Sequence, residues 1–188
     1  MQIKKPKFWD LKKPNFVSII LLPFTIVLLI NNFLLNKKIK KKNEKIKTIC
    51  VGNIYIGGTG KTPATIKIYK LLKKLNFKVC TGKKLYSSHI DEKKILEKKT
   101  DLIIEDNRTH IIEKAIKHDY KYLIFDDGLQ DRNVSYDLKF VCFNSHNWIG
   151  NNKLIPAGPL REKVSSLKKY DAVFLKKNNG INNEIKQE

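Results

Sequence analysis

The chain has 188 residues, room for one ordinary domain and an appendage, and its hydrophobic share of 41% is enough for a real core, which excludes global disorder. Lys and Arg number 38 against 18 Asp and Glu, a formal net charge of +20. Only three of the basic residues are arginines (Arg108, Arg132 and Arg161), and since arginine is favoured for bidentate phosphate and base contacts, the balance argues for no nucleic acid partner.

The charge is concentrated at the start. Residues 1–47 hold 12 Lys against Asp10 and Glu44, so 12 − 2 = +10, half of the excess in a quarter of the chain. Between Lys13 and Lys37 no residue is charged, Phe16 to Ile30 is almost continuously apolar, and the run extends through Asn31 and Asn32 to Leu35. Crossing a hydrocarbon core takes about 20 helical residues, so the stretch only just suffices, and Pro23 is expected to kink it. Lys12 and Lys13 flank one end, Lys37, Lys38, Lys40, Lys41 and Lys42 the other, with Phe8 and Trp9 as interfacial aromatics. These features predict a helix lying in, or dipping into, an anionic leaflet rather than a buried core helix, with spanning and monotopic placement both open. A cleaved signal peptide would have a shorter apolar region and a small-residue cleavage site, which is lacking here.

From residue 46 the texture is that of an α/β domain. Ile46 to Val51 predicts a strand, and it runs into the glycine-rich stretch Gly52-Asn53-Ile54-Tyr55-Ile56-Gly57-Gly58-Thr59-Gly60-Lys61-Thr62-Pro63. Ala64 to Leu75 then has apolar residues at helical spacing (Ile66, Tyr69, Leu72). Strand, glycine-rich loop, Gly-Lys-Thr and helix come in the order a phosphate-binding loop requires. Glycines let backbone N–H groups turn inward around a phosphate, and the helix start adds donors and the positive end of its dipole. Tyr55, Ile56, Gly57, Gly58, Thr59, Gly60, Lys61 and Thr62 are therefore the candidate ATP-binding residues, with Lys61 on the β- and γ-phosphates and the Thr62 hydroxyl on Mg²⁺. Tyr55 stands where the general pattern has its first glycine.

Phe77 to Thr81 predicts a second strand, Gly82 to His89 a loop, and Asp91 to Lys99 a helix opened by Asp91 and Glu92. Leu102 to Ile104 reads as a strand and Asn107 to His118 as a helix with Ile111, Ile112 and Ala115 on one face. Tyr122 to Phe125 is an apolar strand that ends in Asp126-Asp127-Gly128-Leu129-Gln130. Acidic residues at the carboxyl end of such a strand are placed to reach Mg²⁺, so Asp126 and Asp127 are candidate metal ligands, either one in direct contact. Cys50, Cys80 and Cys142 form no C-x-x-C pair and lie in apolar stretches, which predicts small buried hydrophobes in a reducing compartment.

Four blocks together give the chain a family likeness. They are GNIYIGGTGKTP at 52–63, DE at 91–92, DDGLQ at 126–130, and LIPAGPLRE at 154–162 ahead of a DAVFL strand at 171–175. In these it resembles the tetraacyldisaccharide 4′-kinases, the lipid A 4′-kinases of Gram-negative bacteria, whose own glycine-rich block also lacks the first glycine. The resemblance implies a P-loop NTPase-like fold, a mostly parallel sheet with flanking helices preceded by the hydrophobic membrane helix. It divides the chain into a membrane-associating segment at 1–45 and a kinase domain at 46–188. It implies transfer of the ATP γ-phosphoryl group to the 4′-hydroxyl of an acylated disaccharide 1-phosphate lipid, giving lipid IVA at the cytoplasmic face of the inner membrane. Carried over residue by residue, Asp91 would be the general base, Glu92 would support the site, and Arg161 and Glu162 would bind the sugar or its 1-phosphate. The bland alternative for the last two is a salt-bridged helix start after Pro159.

The chain departs from the family at several points. Gly82-Lys83-Lys84-Leu85-Tyr86 stands where members usually have an R-G-Y motif, and Asp131 where they have a histidine. Members also continue into a smaller second domain bearing a histidine partner for the catalytic aspartate. None of His89, His110, His118 and His146 lies in a matching motif, so a fragment, or a truncated nucleotide-binding relative with impaired catalysis, is the competing expectation. A membrane-associated P-loop ATPase is a further alternative, though one in which the GPLRE block has no purpose.

Overall fold

The computed structural model describes residues 5–35, 43–85, 90–131 and 133–177. A 20-residue helix, α1 (Phe16–Leu35), follows a short 3-10 turn at Lys7–Asp10. The domain then alternates β1 (Lys47–Gly52), α2 (Lys61–Lys74), β2 (Val79–Lys84), α3 (Ile90–Lys99), β3 (Leu102–Glu105), α4 (Arg108–Lys117) and β4 (Tyr122–Asp126). Two further strands, β5 (Leu138–Asn144) and β6 (Ala172–Lys176), complete it, with a 3-10 turn at Val164–Lys169 between them. The six strands form one sheet in the order β3-β2-β4-β1-β5-β6, every neighbouring pair parallel.

Parallel sheets need both faces covered, and the strand sequences show how that is met. In β1, Cys50 points into a cluster with Phe125, Ile111 and Ala115, on the side of α4. Its neighbours Ile49 and Val51 point the other way, into a cluster with Tyr69, Val79 and Ile124, on the side of α2. The alternation is the two-residue period of a strand buried twice over. Asn107 caps α4, its side chain accepting from the His110 backbone N–H at 2.9 Å. All three cysteines are buried and unpaired to one another, and burial pushes the Cys80 and Cys142 thiols up to about 12.

One expectation needs correction. The loop expected from Gly82 is still strand as far as Lys84, because β2 pairs with β3 from Thr81 opposite Leu102 to Lys84 opposite Glu105. Gly82 looks like a turn residue, yet a Cβ there would come within 2.7 Å of Ile111, so the glycine is where α4 crosses the sheet closely. The remainder of that loop, 86–89, lies outside the described residues, as does the basic flank at 37–42.

The helix α1 reverses the usual arrangement. Ser18 and Thr25 are buried, while Phe16, Val17, Ile19, Ile20, Phe24, Ile26, Val27 and Ile30 are exposed, Phe16 at 76%. Its polar side is tied down: Asn151 Nδ2 donates to Ser18 Oγ at 2.9 Å and to the Ala157 carbonyl at 2.9 Å. Counting only the described residues, no helix is long and apolar enough to cross a membrane.

Candidate active site

Adjacent strands deliver the site. β1 and β4 are neighbours in register, Val51 opposite Asp126, so the glycine-rich loop leaves the sheet beside the acidic pair. The Asp127 N–H donates to the Val51 carbonyl at 2.9 Å. β2 lies on the other side of β4 with Gly82 opposite Phe125, which brings Lys83 level with the acids.

The loop itself is held from inside by Asn53, fully buried, whose Nδ2 donates to the carbonyls of Tyr55 at 2.6 Å and Gly57 at 3.4 Å. Gly57 (φ +147°) and Gly60 (φ +84°) adopt backbone that side chains disfavour. Gly60 begins α2 without any side-chain cap, which leaves first-turn N–H groups turned toward the loop. The Thr59 hydroxyl is buried and has no hydrogen-bond partner among the described residues. On its outer side the loop is stitched to the LIPAGPLRE block: the Ile56 N–H donates to the Pro159 carbonyl at 2.9 Å and the Arg161 N–H to the Ile54 carbonyl at 2.7 Å.

Tyr55, the departure from the phosphate-loop pattern, has a structural task. Its ring is buried, its hydroxyl makes a short hydrogen bond to the Asp10 carboxylate, and Lys5 Nζ donates to the same hydroxyl at 2.7 Å. Trp9 Nε1 donates to the Pro156 carbonyl at 3.0 Å. The segment leading into α1 is thus latched to the phosphate loop and to the block beside it. Partial burial works against the Asp10 charge, but the hydrogen bonds from Lys5 and Tyr55 outweigh it and hold the carboxyl below its ordinary value.

Asp126 is the buried acid. Thr62 Oγ1 donates to its Oδ2 at 3.1 Å, Thr65 Oγ1 approaches Oδ1 at 3.5 Å, and Lys83 Nζ contacts Oδ2 at 2.6 Å. Asp127 faces the loop lysine instead, 3.8 Å from Lys61 Nζ, with Arg161 Nη1 at 3.4 Å on its other oxygen. Its backbone is left-handed (φ +65°), a conformation that aspartate tolerates better than most residues. Arg108 grips the Asp127 carbonyl through Nη2 and the Asp131 carboxylate at 2.6 Å.

The remaining expected residues divide. Arg161 and Glu162 are both drawn in by Gln130, which accepts from Arg161 Nη1 at 3.0 Å and donates to Glu162 Oε1 at 3.0 Å. Tyr170 also donates to Glu162, at 2.9 Å. No helix starts at Pro159, since the 3-10 turn begins only at Val164, so Arg161 pairs with Asp127 rather than serving a helix start. Glu92 reaches Lys83 Nζ at 2.7 Å. Asp91, in the first turn of α3, is exposed and makes no side-chain hydrogen bond or ion pair with the described residues.

Lys83, Arg108 and Gln130 are site residues with no role in the sequence reading. Only Lys83 carries a signal that could have given it away, a lysine at the end of a strand whose preceding residues are wholly apolar or small. Burial alone would lower its pKa, but Asp126 and Glu92 more than compensate and it is raised, so the ammonium stays charged.

The residues present suit a nucleotide with Mg²⁺. Thr62, Asp126, Asp127 and Glu92 offer hard oxygen donors. Among the described residues no group of three or more His, Cys, Asp or Glu forms a metal cage. The inward-turned loop and the unpartnered Thr59 hydroxyl are the corresponding feature for phosphate.

The parallel sheet, glycine-rich loop, Gly-Lys-Thr helix start and strand-end acids define an α/β domain of the P-loop NTPase-like class. A crystal structure of LpxK from Aquifex aeolicus in complex with ATP shares this fold, with a TM-score of 0.69 at 24% identity over 85% of this chain and 59% of that one. The profile of the family described as tetraacyldisaccharide-1-P 4′-kinase matches residues 17–188, and the chain belongs to that family. The tetraacyldisaccharide 4′-kinase of Pelagibacter ubique (strain HTCC1062) is 52% identical over 95% of this chain, and that of Rickettsia bellii (strain OSU 85-389) 34% identical over 93%. This chain spans 56% and 59% of the lengths of those two relatives.

Proposed function

We propose that this chain carries the nucleotide-binding and phosphoryl-transfer site of a lipid A 4′-kinase, taking the γ-phosphoryl group of ATP to the 4′-hydroxyl of an acylated disaccharide 1-phosphate. The observation that carries the reading is the pairing across β1 and β4: Lys61 and Thr62 at the start of α2 face Asp127 and Asp126 at 3.8 and 3.1 Å. Phosphoryl transfer is mostly positioning and charge stabilisation, and this corner supplies both. The loop N–H groups and Lys61 bind and orient the β- and γ-phosphates. Thr62, Asp126 and Asp127 would hold Mg²⁺, which when bound would supply neutralisation of the charge on the transferred group. Asp91 takes the proton of the attacking hydroxyl, with its exposed position open to an incoming sugar, and Glu92 positions Lys83 behind it. Arg161 and Glu162, preset by Gln130, bind the sugar or its 1-phosphate.

The membrane reading rests on α1. A helix that buries serine and threonine and exposes a run of Phe, Val and Ile fits an apolar solvent on its outer side. Between α1 and the 152–165 stretch runs a groove of about 400 Å³, half lined by apolar side chains such as Leu22, Leu29 and Val164 and half by polar ones such as Lys153 and Lys163, a mixture compatible with an acylated, phosphorylated substrate. In this proposal residues 1–45 form the membrane-associating segment, residues 46–188 the kinase domain, and the enzyme works at the cytoplasmic face of the inner membrane, where ATP is available.

The test is transfer of labelled γ-phosphate from ATP to tetraacyldisaccharide 1-phosphate in detergent micelles. Labelled lipid that disappears with Lys61→Ala supports the kinase. Lys61-dependent ATP binding without lipid product would instead assign the chain to a non-catalytic nucleotide binder.

A further inference from the structure

The corner that would hold Mg²⁺ already contains a cation. Lys83 Nζ lies 2.6 Å from Asp126 Oδ2 and 2.7 Å from Glu92 Oε2, and its side chain is only 6% exposed. It shares the Asp126 oxygen that also accepts from Thr62, the hydroxyl assigned to the metal. An ammonium in this position does part of what a divalent ion does: it neutralises a buried carboxylate that would be costly to leave bare. It also occupies the side of that carboxylate which faces the phosphate loop.

The charge count makes the consequence concrete. Around the loop, Lys61, Lys83 and Arg161 face Asp126, Asp127 and Glu92, three cations to three carboxylates. Without Lys83 the Asp126 and Glu92 corner would be a dianionic oxygen site, attractive to a divalent cation even with no nucleotide present. With Lys83 it carries a single net negative charge, and phosphates are needed to make metal binding favourable.

We propose that Lys83 is a tethered cation that competes with the divalent metal for Asp126 and Glu92, so that metal is taken up together with nucleotide rather than ahead of it. Lys83 is in this sense a positioning residue: it sets when the metal site is available and keeps Asp126 oriented until then. The inference rests on the kinase reading in placing the metal at Thr62 and Asp126, and adds that Glu92 is a carboxylate the metal would reach once Lys83 leaves it.

The experiment is Mn²⁺ binding to the full chain in detergent micelles, followed by electron paramagnetic resonance without nucleotide. Wild type is expected to bind Mn²⁺ weakly, and Lys83→Met to bind it about tenfold or more tightly, a modest fraction of what a unit charge at contact distance exerts. Lys83→Arg, which keeps the charge, is expected to stay weak, and Asp126→Asn added to Lys83→Met to abolish the gain. A purely structural role for Lys83 predicts the opposite, weaker binding in Lys83→Met. Should Lys83→Met fail to fold, the ¹⁵Nζ resonance of Lys83 in wild type provides the same answer. Saturating Mg²⁺ with a non-hydrolysable ATP analogue is expected to shift it as the ammonium leaves Asp126. Unchanged or weaker Mn²⁺ affinity, or an unmoved resonance, overturns the proposal. Lipid phosphorylation by wild type is scored separately, so product formed alongside unchanged metal affinity sinks this inference and leaves the kinase reading standing.

Discussion

Helices α1 and α2 both pack one face on the domain, and they choose opposite faces. α2 buries Ile66 and Tyr69, with Thr62 and Thr65 turned to the site, and carries Lys67, Lys70, Lys73 and Lys74 outward beside an exposed Leu71, close to the ordinary solution for a helix facing water. α1 buries Ser18 and Thr25 and turns its Phe, Val and Ile outward. The same rule, that apolar surface leaves water, accounts for both arrangements under the proposal that α1 faces a lipid leaflet. Buried polar groups must then be paired, and they are, Ser18 by Asn151 and Thr25 by the Leu22 carbonyl at 2.6 Å. In the proposed reading the contrast separates a nucleotide-binding end, built on α2, from a leaflet-facing end, built on α1, with the Lys5, Asp10 and Tyr55 latch between them.

The largest effect is expected at the α2 end, where Asp126→Asn leaves the buried Lys83 ammonium short of a partner and should lower unfolding stability by about 3 kcal/mol in urea titrations. At the α1 end, replacing Phe16, Phe24 and Val27 together by Lys should cut the vesicle-bound fraction about tenfold in flotation with anionic lipid. Retained binding would show that α1 does not face the lipid. Gly60→Ala forces a Cβ into left-handed backbone at the start of α2 and toward Lys176, a cost of about 1–2 kcal/mol read from the shift in melting temperature.

The smallest effect concerns the latch. The Asp10 carboxyl is held below its ordinary value, so its contribution is present above about pH 4 and is lost as pH falls through the depressed value. In a Trp148→Phe background Trp9 is the sole tryptophan. Its emission is expected to stay blue down to about pH 4 and to redden only below it. Asp10→Asn should abolish that step.

Much of the fold was legible because its signals are local. The β1, glycine-rich loop and α2 succession, the apolar β4 ending in Asp126, and α4 follow from strand composition, the glycine-rich motif and helical spacing of apolar residues. β5 is unassigned in the sequence reading although its Phe140, Val141 and Phe143 are strand-like, for no motif singles it out and its place beside β1 comes from pairing alone. The end of β2 was misread for a related reason. Gly82, Lys83 and Lys84 have loop composition, and tertiary context overrides it: α4 presses on Gly82, and Asp126 neutralises Lys83. In the site, residues on the loop and at strand ends could be named from spacing. Arg108 and Gln130 could not, because their roles lie in contacts between segments distant in the chain.

In the proposed reading the start of α2, facing the acids at the end of β4, holds ATP together with Mg²⁺. Calorimetric titration of ATP into the full chain in micelles, with Mg²⁺ present, tests it most directly. The account predicts saturable one-to-one binding that Lys61→Ala removes without unfolding the protein. No binding, or binding indifferent to Lys61, would contradict it.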